Sequence, residues 1–211
     1  MEAVFPIASL TLGSLPLFVL LRFVRPRFMF FGIGAALLVA TLVIQPLPAR
    51  FAIGAFLPVS VIAASFAAGL IAGVLQEGLK ALPLRGVGPS EGAWLGAGFG
   101  VGEAALVALA QFISPSSPPA WVALVPGVER LLATWFHIVT ATILGLGWAK
   151  GKFLPYFALA VAAHTGVDAA AAYISLAGLD PLDPLVSIPL YSGMALLNIV
   201  LTLLLVRGWS Q

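Results

Sequence analysis

The sequence predicts an all-α fold, a polytopic membrane helix bundle of about seven transmembrane helices. Three observations predict it. The 211-residue chain is 61% hydrophobic and 9% charged, with a mean hydropathy of +1.11, whereas a soluble domain carries about 25% charged residues. Its apolar residues fall into runs near the roughly 20 residues that cross a bilayer as a helix. Its basic residues collect at alternate ends of those runs.

The first span, roughly 4–22, follows Glu2 and ends at Arg22 and Arg25-Pro26-Arg27. It lacks an A-x-A-like cleavage site, and its basic cluster comes after the apolar run. It therefore reads as a reverse-oriented anchor, not a cleaved secretory signal. The second, 28–45, stops at Pro46-Leu47-Pro48-Ala49-Arg50, because proline removes a donor and clashes with the preceding turn. The third, 55–82, is closed by the stretch from Pro83 to Pro89, and the fourth, 91–113, by that from Ser114 to Pro119. The fifth, 121–149, and sixth, 153–177, flank Lys150 and Lys152. Gly178 to Pro184, with Asp180 and Asp183, precedes the seventh, 184–206. Two spans exceed the needed length and are expected to tilt or project.

One side of the membrane collects Arg22, Arg25, Arg27, Lys80, Arg85, Lys150, Lys152 and Arg207, and the other has only Arg50 with Asp180 and Asp183. The positive-inside rule puts the N-terminus outside and the C-terminus in the cytoplasm. Residues 1–211 read as a single integral membrane domain with no strong internal repeat. No cysteine is present, so disulfide and thiolate chemistry do not apply.

Five acid or imidazole groups interrupt these spans: Glu77, Glu103, His137, His164 and Asp168. An ionised group near the centre of a membrane helix costs about 2.5 kcal/mol or more. At 1.5 Å rise per residue, Glu103, His137 and His164 lie at one level, roughly 18 Å deep. Asp168 follows His164 by one turn on the same face. Gln76 and Glu77 count as a turn or more shallower, unless their helix tilts. Gly92, Gly96 and Gly100, and likewise Gly98 and Gly102, recur at a spacing that lets membrane helices approach closely. Ala160, Ala163, Gly166 and Ala170 offer a similar small surface around His164.

Read in order, the motifs are Gln76-Glu77-Gly78-Leu79-Lys80 (E-E-x-x-K/R-like), Phe99 to Glu103 (F-x-x-x-E), Arg130 with His137, Thr140 and Gly145, and His164 to Asp168 (H-x-x-x-D). This set resembles the PrsW and YhfC families of intramembrane metalloproteases, in a wider group with the CAAX-prenyl endopeptidases. The resemblance covers roughly residues 60–170. It implies a wet cavity within the membrane, hydrolysis of peptide bonds in or near a transmembrane segment, and a prokaryotic inner-membrane location. Gln76 and Glu77 take the positions of the paired catalytic glutamates. Glu103, His137 and His164 become candidate metal ligands or water-positioning residues, with Asp168 beside them. The implied partners are a membrane-tethered peptide or transmembrane protein and the bilayer; no nucleic acid is expected.

The chemistry of the residues supports the same expectation. Two histidines and a glutamate are a known set for catalytic zinc with a fourth position open, and Glu103, His137 and His164 supply that set for a Zn²⁺ cofactor. Glu77 would then deprotonate the water and protonate the leaving amine, with Lys80 paired to it at i,i+3. Gln76 departs from the family, because an amide is no general base. Three explanations stand open: an engineered Glu→Gln substitution, Glu77 as the base, or a catalytically silent scaffold like the gamma-secretase scaffold subunit.

Each residue also has a plainer reading. His137 reads as a packing histidine, His164 with Asp168 as a structural pair, and Glu129-Arg130 as a local ion pair whose arginine could still hold a substrate carbonyl or the Glu cluster. Lys80 and Arg85 read as snorkelling interface anchors. Phe99 reads as packing, and Trp121 and Trp209 as interfacial belt residues. A proton-coupled transporter is the main functional alternative, since such carriers also bury acids and histidines.

Overall fold

A computed structural model describes residues 4–113, 122 and 124–209. Among them are eight helices and no strand: α1 (Val4–Phe23), α2 (Phe28–Ile44), α3 (Pro46–Phe56), α4 (Val61–Ala81), α5 (Pro89–Ile113), α6 (Leu124–Ala149), α7 (Phe153–Leu176) and α8 (Pro184–Trp209). Six are long and apolar enough to cross a membrane, and α2 with α3 makes a seventh if that pair, bent by 43°, is one span. The chain is thus built as a multi-pass membrane protein. Large apolar side chains cover its outside, such as Phe18 at 63% exposed and Leu185 at 85%, a surface suited to lipid rather than water.

Two expected boundaries shift. Pro46 to Arg50 does not break the chain into loop but opens the eleven-residue helix α3. A proline in the first turn loses no hydrogen bond, because that amide has no intrahelical partner. The third span begins at Val61 rather than 55, where the Ser60 hydroxyl caps the Ile62 amide at 3.2 Å. The break expected at Ser114–Pro119 and the belt residue Trp121 lie outside the described residues.

The glycine stripes of α5 serve two neighbours. A Cβ on Gly92 or Gly96 would strike the Ala141 or His137 carbonyl, and one on Gly100 would lie 2.6 Å from Thr134 Cα, so this stripe seats α6. A Cβ on Gly98 would strike the Phe31 carbonyl, and one on Gly102 would lie 3.1 Å from Leu38, so that stripe seats α2. On α4, Gly73 lets α7 approach: a Cβ there would lie 2.8 Å from Thr165 Oγ1 and 2.9 Å from the Val161 carbonyl. Around His164 the expected small surface is only partly used. Ala160 is fully buried, while Gly166 is exposed and has nothing within 4 Å of a built Cβ.

Polar contacts tie helix ends together at one end of the bundle. Arg27, before α2, pairs with Glu91 of α5 at 3.0 Å. The Trp148 indole donates to the Ala81 carbonyl at 3.3 Å, and Lys150 Nζ to the Gly208 carbonyl at 2.5 Å.

Candidate functional site

Four helices converge on one charged cluster. Glu77 and Lys80 sit a turn apart on α4, so both project from one face. Helix α5 brings Glu103 and Phe99, α6 brings Glu129, Arg130, His137 and Thr140, and α7 brings His164 and Asp168. The contacts form an unbroken chain. Asp168 Oδ2 lies 3.6 Å from His164 Nε2, whose ring meets Glu77 Oε1 through Nδ1 at 2.5 Å. Glu77 Oε1 also takes Lys80 Nζ at 2.5 Å. Lys80 Nζ contacts His137 Nδ1 at 3.3 Å and donates to Thr140 Oγ1 at 3.2 Å. His137 Nε2 meets Glu103 Oε2 at 3.2 Å, and that oxygen lies 3.0 Å from Arg130 Nη1. Arg130 closes the chain with a two-pronged pair to Glu129.

The donors fix the imidazole tautomers. An ammonium only donates, so His137 accepts at Nδ1 and carries its proton on Nε2, which donates to Glu103. A carboxylate only accepts, so His164 donates from Nδ1 to Glu77 and, when neutral, leaves a lone pair on Nε2. Aromatic rings pack the pair. Phe136 meets His164 edge-on at 5.2 Å, Phe99 lies 4.7 Å from His137, and Lys80 Nζ is 5.2 Å from the centre of the Phe99 ring.

A cavity of about 370 Å³ opens beside this chain, within the range of about 300–1,000 Å³ usual for ligand sites. His164, Asp168, His137, Glu103, Glu129 and Arg130 line it, while Glu77 and Lys80, both 0% exposed, do not. The chain therefore begins on the cavity at Asp168, dips through a sealed floor at Glu77 and Lys80, and returns to the same cavity at His137. The rest of the wall is largely apolar, including Leu38, Leu42, Pro46, Leu190 and Met194. Gln76 also lines it, with its Nε2 donating to Gln45 Oε1 at the α2–α3 bend at 3.0 Å.

Several expected placements are revised here. Glu77, counted as a turn or more shallower unless its helix tilts, meets His164 directly at 2.5 Å. Lys80 is no interface anchor but wholly enclosed, whereas Arg85 is exposed. The expected Glu77–Lys80 pair forms. Arg130 pairs with Glu129 and also holds Glu103, one of the two partners open to it from the sequence. Phe99 does pack, and what it packs against is His137. Gln45, an amide at the junction of two apolar helices, joins the site with no motif to mark it. Trp135 donates to Thr202 Oγ1 at 3.2 Å.

The donor atoms that converge are those of Glu77, His137 and His164, all within 4.8 Å of one another; Glu103 stands outside this group. The set suits zinc in kind and number, and Glu77 Oε2 is buried with no hydrogen-bond partner. The Lys80 ammonium nevertheless lies among these donors. An ion bound about 2.0–2.1 Å from its ligands would need that ammonium to withdraw. No family model matches the chain, and no curated protein or solved structure matches it either.

Proposed function

We propose that this protein is an intramembrane peptidase that hydrolyses a peptide bond of a membrane-embedded substrate. One observation carries the reading: the proton-binding chain starts and ends on a single cavity. Such a loop can take a proton at one point of a site and return it at another. The continuous chain of ionisable groups is also what favours a proton-coupled transporter. A transmembrane relay links the two sides of a membrane, whereas Asp168 and Glu129, at the two ends of this chain, line one cavity.

The roles follow from the contacts. The fully buried Glu77 holds His164 by Nδ1 and stabilises the imidazolium that forms, as an acid does behind a general-base histidine. His164 Nε2 takes a proton from a water held near Asp168 while the water oxygen bonds to the scissile carbonyl carbon. It then returns that proton to the amide nitrogen as the carbon–nitrogen bond breaks. Arg130, which also lines the cavity, would stabilise the charge that develops on the carbonyl oxygen. The apolar wall from α2, α7 and α8 suits a hydrophobic peptide segment. Were the Lys80 ammonium withdrawn, a Zn²⁺ held by Glu77, His137 and His164 would supply an alternative activation, lowering the pKa of bound water to about 7.

In this reading α2 and α3 form one broken span, giving seven spans with the N-terminus outside and the C-terminus in the cytoplasm of a cell membrane. With Lys80 enclosed, the remaining basic residues keep the same asymmetry. The PrsW/YhfC assignment rests on the four motifs in their order. Gln76 departs from it, but Glu77, not residue 76, touches His164, which favours Glu77 as the working carboxylate.

The test uses purified protein in liposomes with a set of single-span peptides. Cleavage by the wild type, lost in His164→Ala, is the expected result. Uptake driven by an ion gradient without cleavage would replace this reading with the transporter, and a stable partner complex with neither would indicate a silent scaffold.

A further inference from the structure

We infer that Lys80 is the resident cation of the Glu77–His137–His164 centre, and that its ammonium and a divalent metal ion are alternative occupants of one position. The inference rests on that donor set and not on peptidase activity. Lys80 Nζ lies 2.5 Å from Glu77 Oε1 and 3.3 Å from His137 Nδ1, two of the three groups whose ligand atoms converge. Its third polar contact is Thr140 Oγ1 at 3.2 Å, and the Phe99 ring covers it. The side chain is 0% exposed.

The geometry leaves little room for both cations. A zinc ion binds carboxylate oxygen at about 2.0–2.2 Å and imidazole nitrogen at about 2.0–2.1 Å. An ion meeting Glu77 and His137 at those distances would fall in the space where the ammonium now contacts both. Two cations that close repel strongly in a site without bulk water. Metal can therefore enter only when the lysine leaves, and Lys80 sets the metal affinity of the centre. The flexible four-carbon stem makes that exchange physically accessible. A nearby destination for the displaced ammonium is the cavity lined by Glu103 and Asp168.

The experiment compares the wild type with Lys80→Met and Lys80→Gln in detergent, with no substrate present. Zinc is titrated while thermal unfolding is followed by tryptophan fluorescence, and bound metal is counted by element-specific analysis after desalting. A ligand that binds only the folded state raises its stability with concentration. Both variants should bind zinc more tightly than the wild type by on the order of tenfold or more, with a zinc-dependent rise in Tm that the wild type lacks at the same concentration. Zinc should also restore folding if Lys80→Met is too unstable without it. Adding His164→Ala to Lys80→Met should abolish the rise, placing the ion at this centre. Equal zinc affinity in wild type and variants would overturn the inference, as would variants that gain no zinc-dependent stability. Failure of the peptidase reading would show instead as absent cleavage with the metal results unchanged.

Discussion

His164 and Glu77, 87 positions apart, meet at 2.5 Å with no water-exposed surface on the carboxylate. The pairing fixes the imidazole's orientation through its Nδ1 and directs Nε2 to the cavity side. A buried acid behind a histidine has a specific consequence for catalysis, because it selects the tautomer that accepts a proton. Replacing Glu77 with Gln should therefore lower the rate of peptide cleavage by about 10²- to 10⁴-fold. The readout is initial cleavage rate in liposomes at matched folded protein. A Glu77→Gln protein with full activity would remove Glu77 from the mechanism.

The same glutamate is half of a buried ion pair with Lys80. Removing one partner of such a pair costs about 3–5 kcal/mol, because the other charge is left uncompensated. Removing both with polar or apolar groups of similar shape is far milder. Glu77→Gln and Lys80→Met are each expected to lower Tm clearly, and the double variant to recover most of the loss. The double-mutant cycle measures this directly. Additive losses would show that the two side chains do not sense each other.

Helix α7 reaches α4 over Gly69 and Gly73, which have no side chain. A Cβ on Gly73 would lie 2.8 Å from Thr165 Oγ1, one residue from His164. Gly73→Val should destabilise the protein by about 1–3 kcal/mol through overpacking and should also separate His164 from Glu77, lowering cleavage. Gly78→Ala makes the matched control, since nothing lies within 4 Å of its built Cβ, and alanine is the better helix former by about 1 kcal/mol. Equal losses from both substitutions would contradict the packing argument.

How much of this was legible in the sequence differs by residue. His164, His137, Glu103 and Glu77 stood out because a charged or imidazole group inside an apolar run has few innocent explanations. Their convergence is legible too, as are the partners a turn away, Lys80 for Glu77 and Asp168 for His164, but not the partners on other helices. Lys80 sits one residue from the end of α4, where a lysine usually snorkels to the interface. Only tertiary packing decides that it turns inward, so no pattern along the chain could reveal it. The choice of Glu77 over Glu103 beside His164 likewise depends on how α4 and α7 meet. Gly69 and Gly73 could have been noticed, as they repeat the four-residue spacing of Gly92, Gly96 and Gly100. Helix α3 was hidden by its prolines, which read as a break but occupy a first turn.

Position 76 supplies another test. Gln76 hydrogen-bonds Gln45 rather than the histidine cluster, and the Gln45 amide can rotate to donate to a carboxylate instead. Gln76→Glu is therefore expected to change cleavage by no more than a few fold and to leave metal content unaltered. Cleavage that appears only in Gln76→Glu would make residue 76 the base and Glu77 its structural neighbour.

The central claim is hydrolysis at His164, and its most direct measurement is isotopic. A single-span peptide is incubated with the protein in liposomes prepared in ¹⁸O-water, and the products are weighed by mass spectrometry. Fragments cut at a discrete bond, with ¹⁸O in the new carboxylate, are expected from the wild type and none from His164→Ala. Intact peptide with the folded wild type, or equal cleavage by both proteins, would contradict that claim.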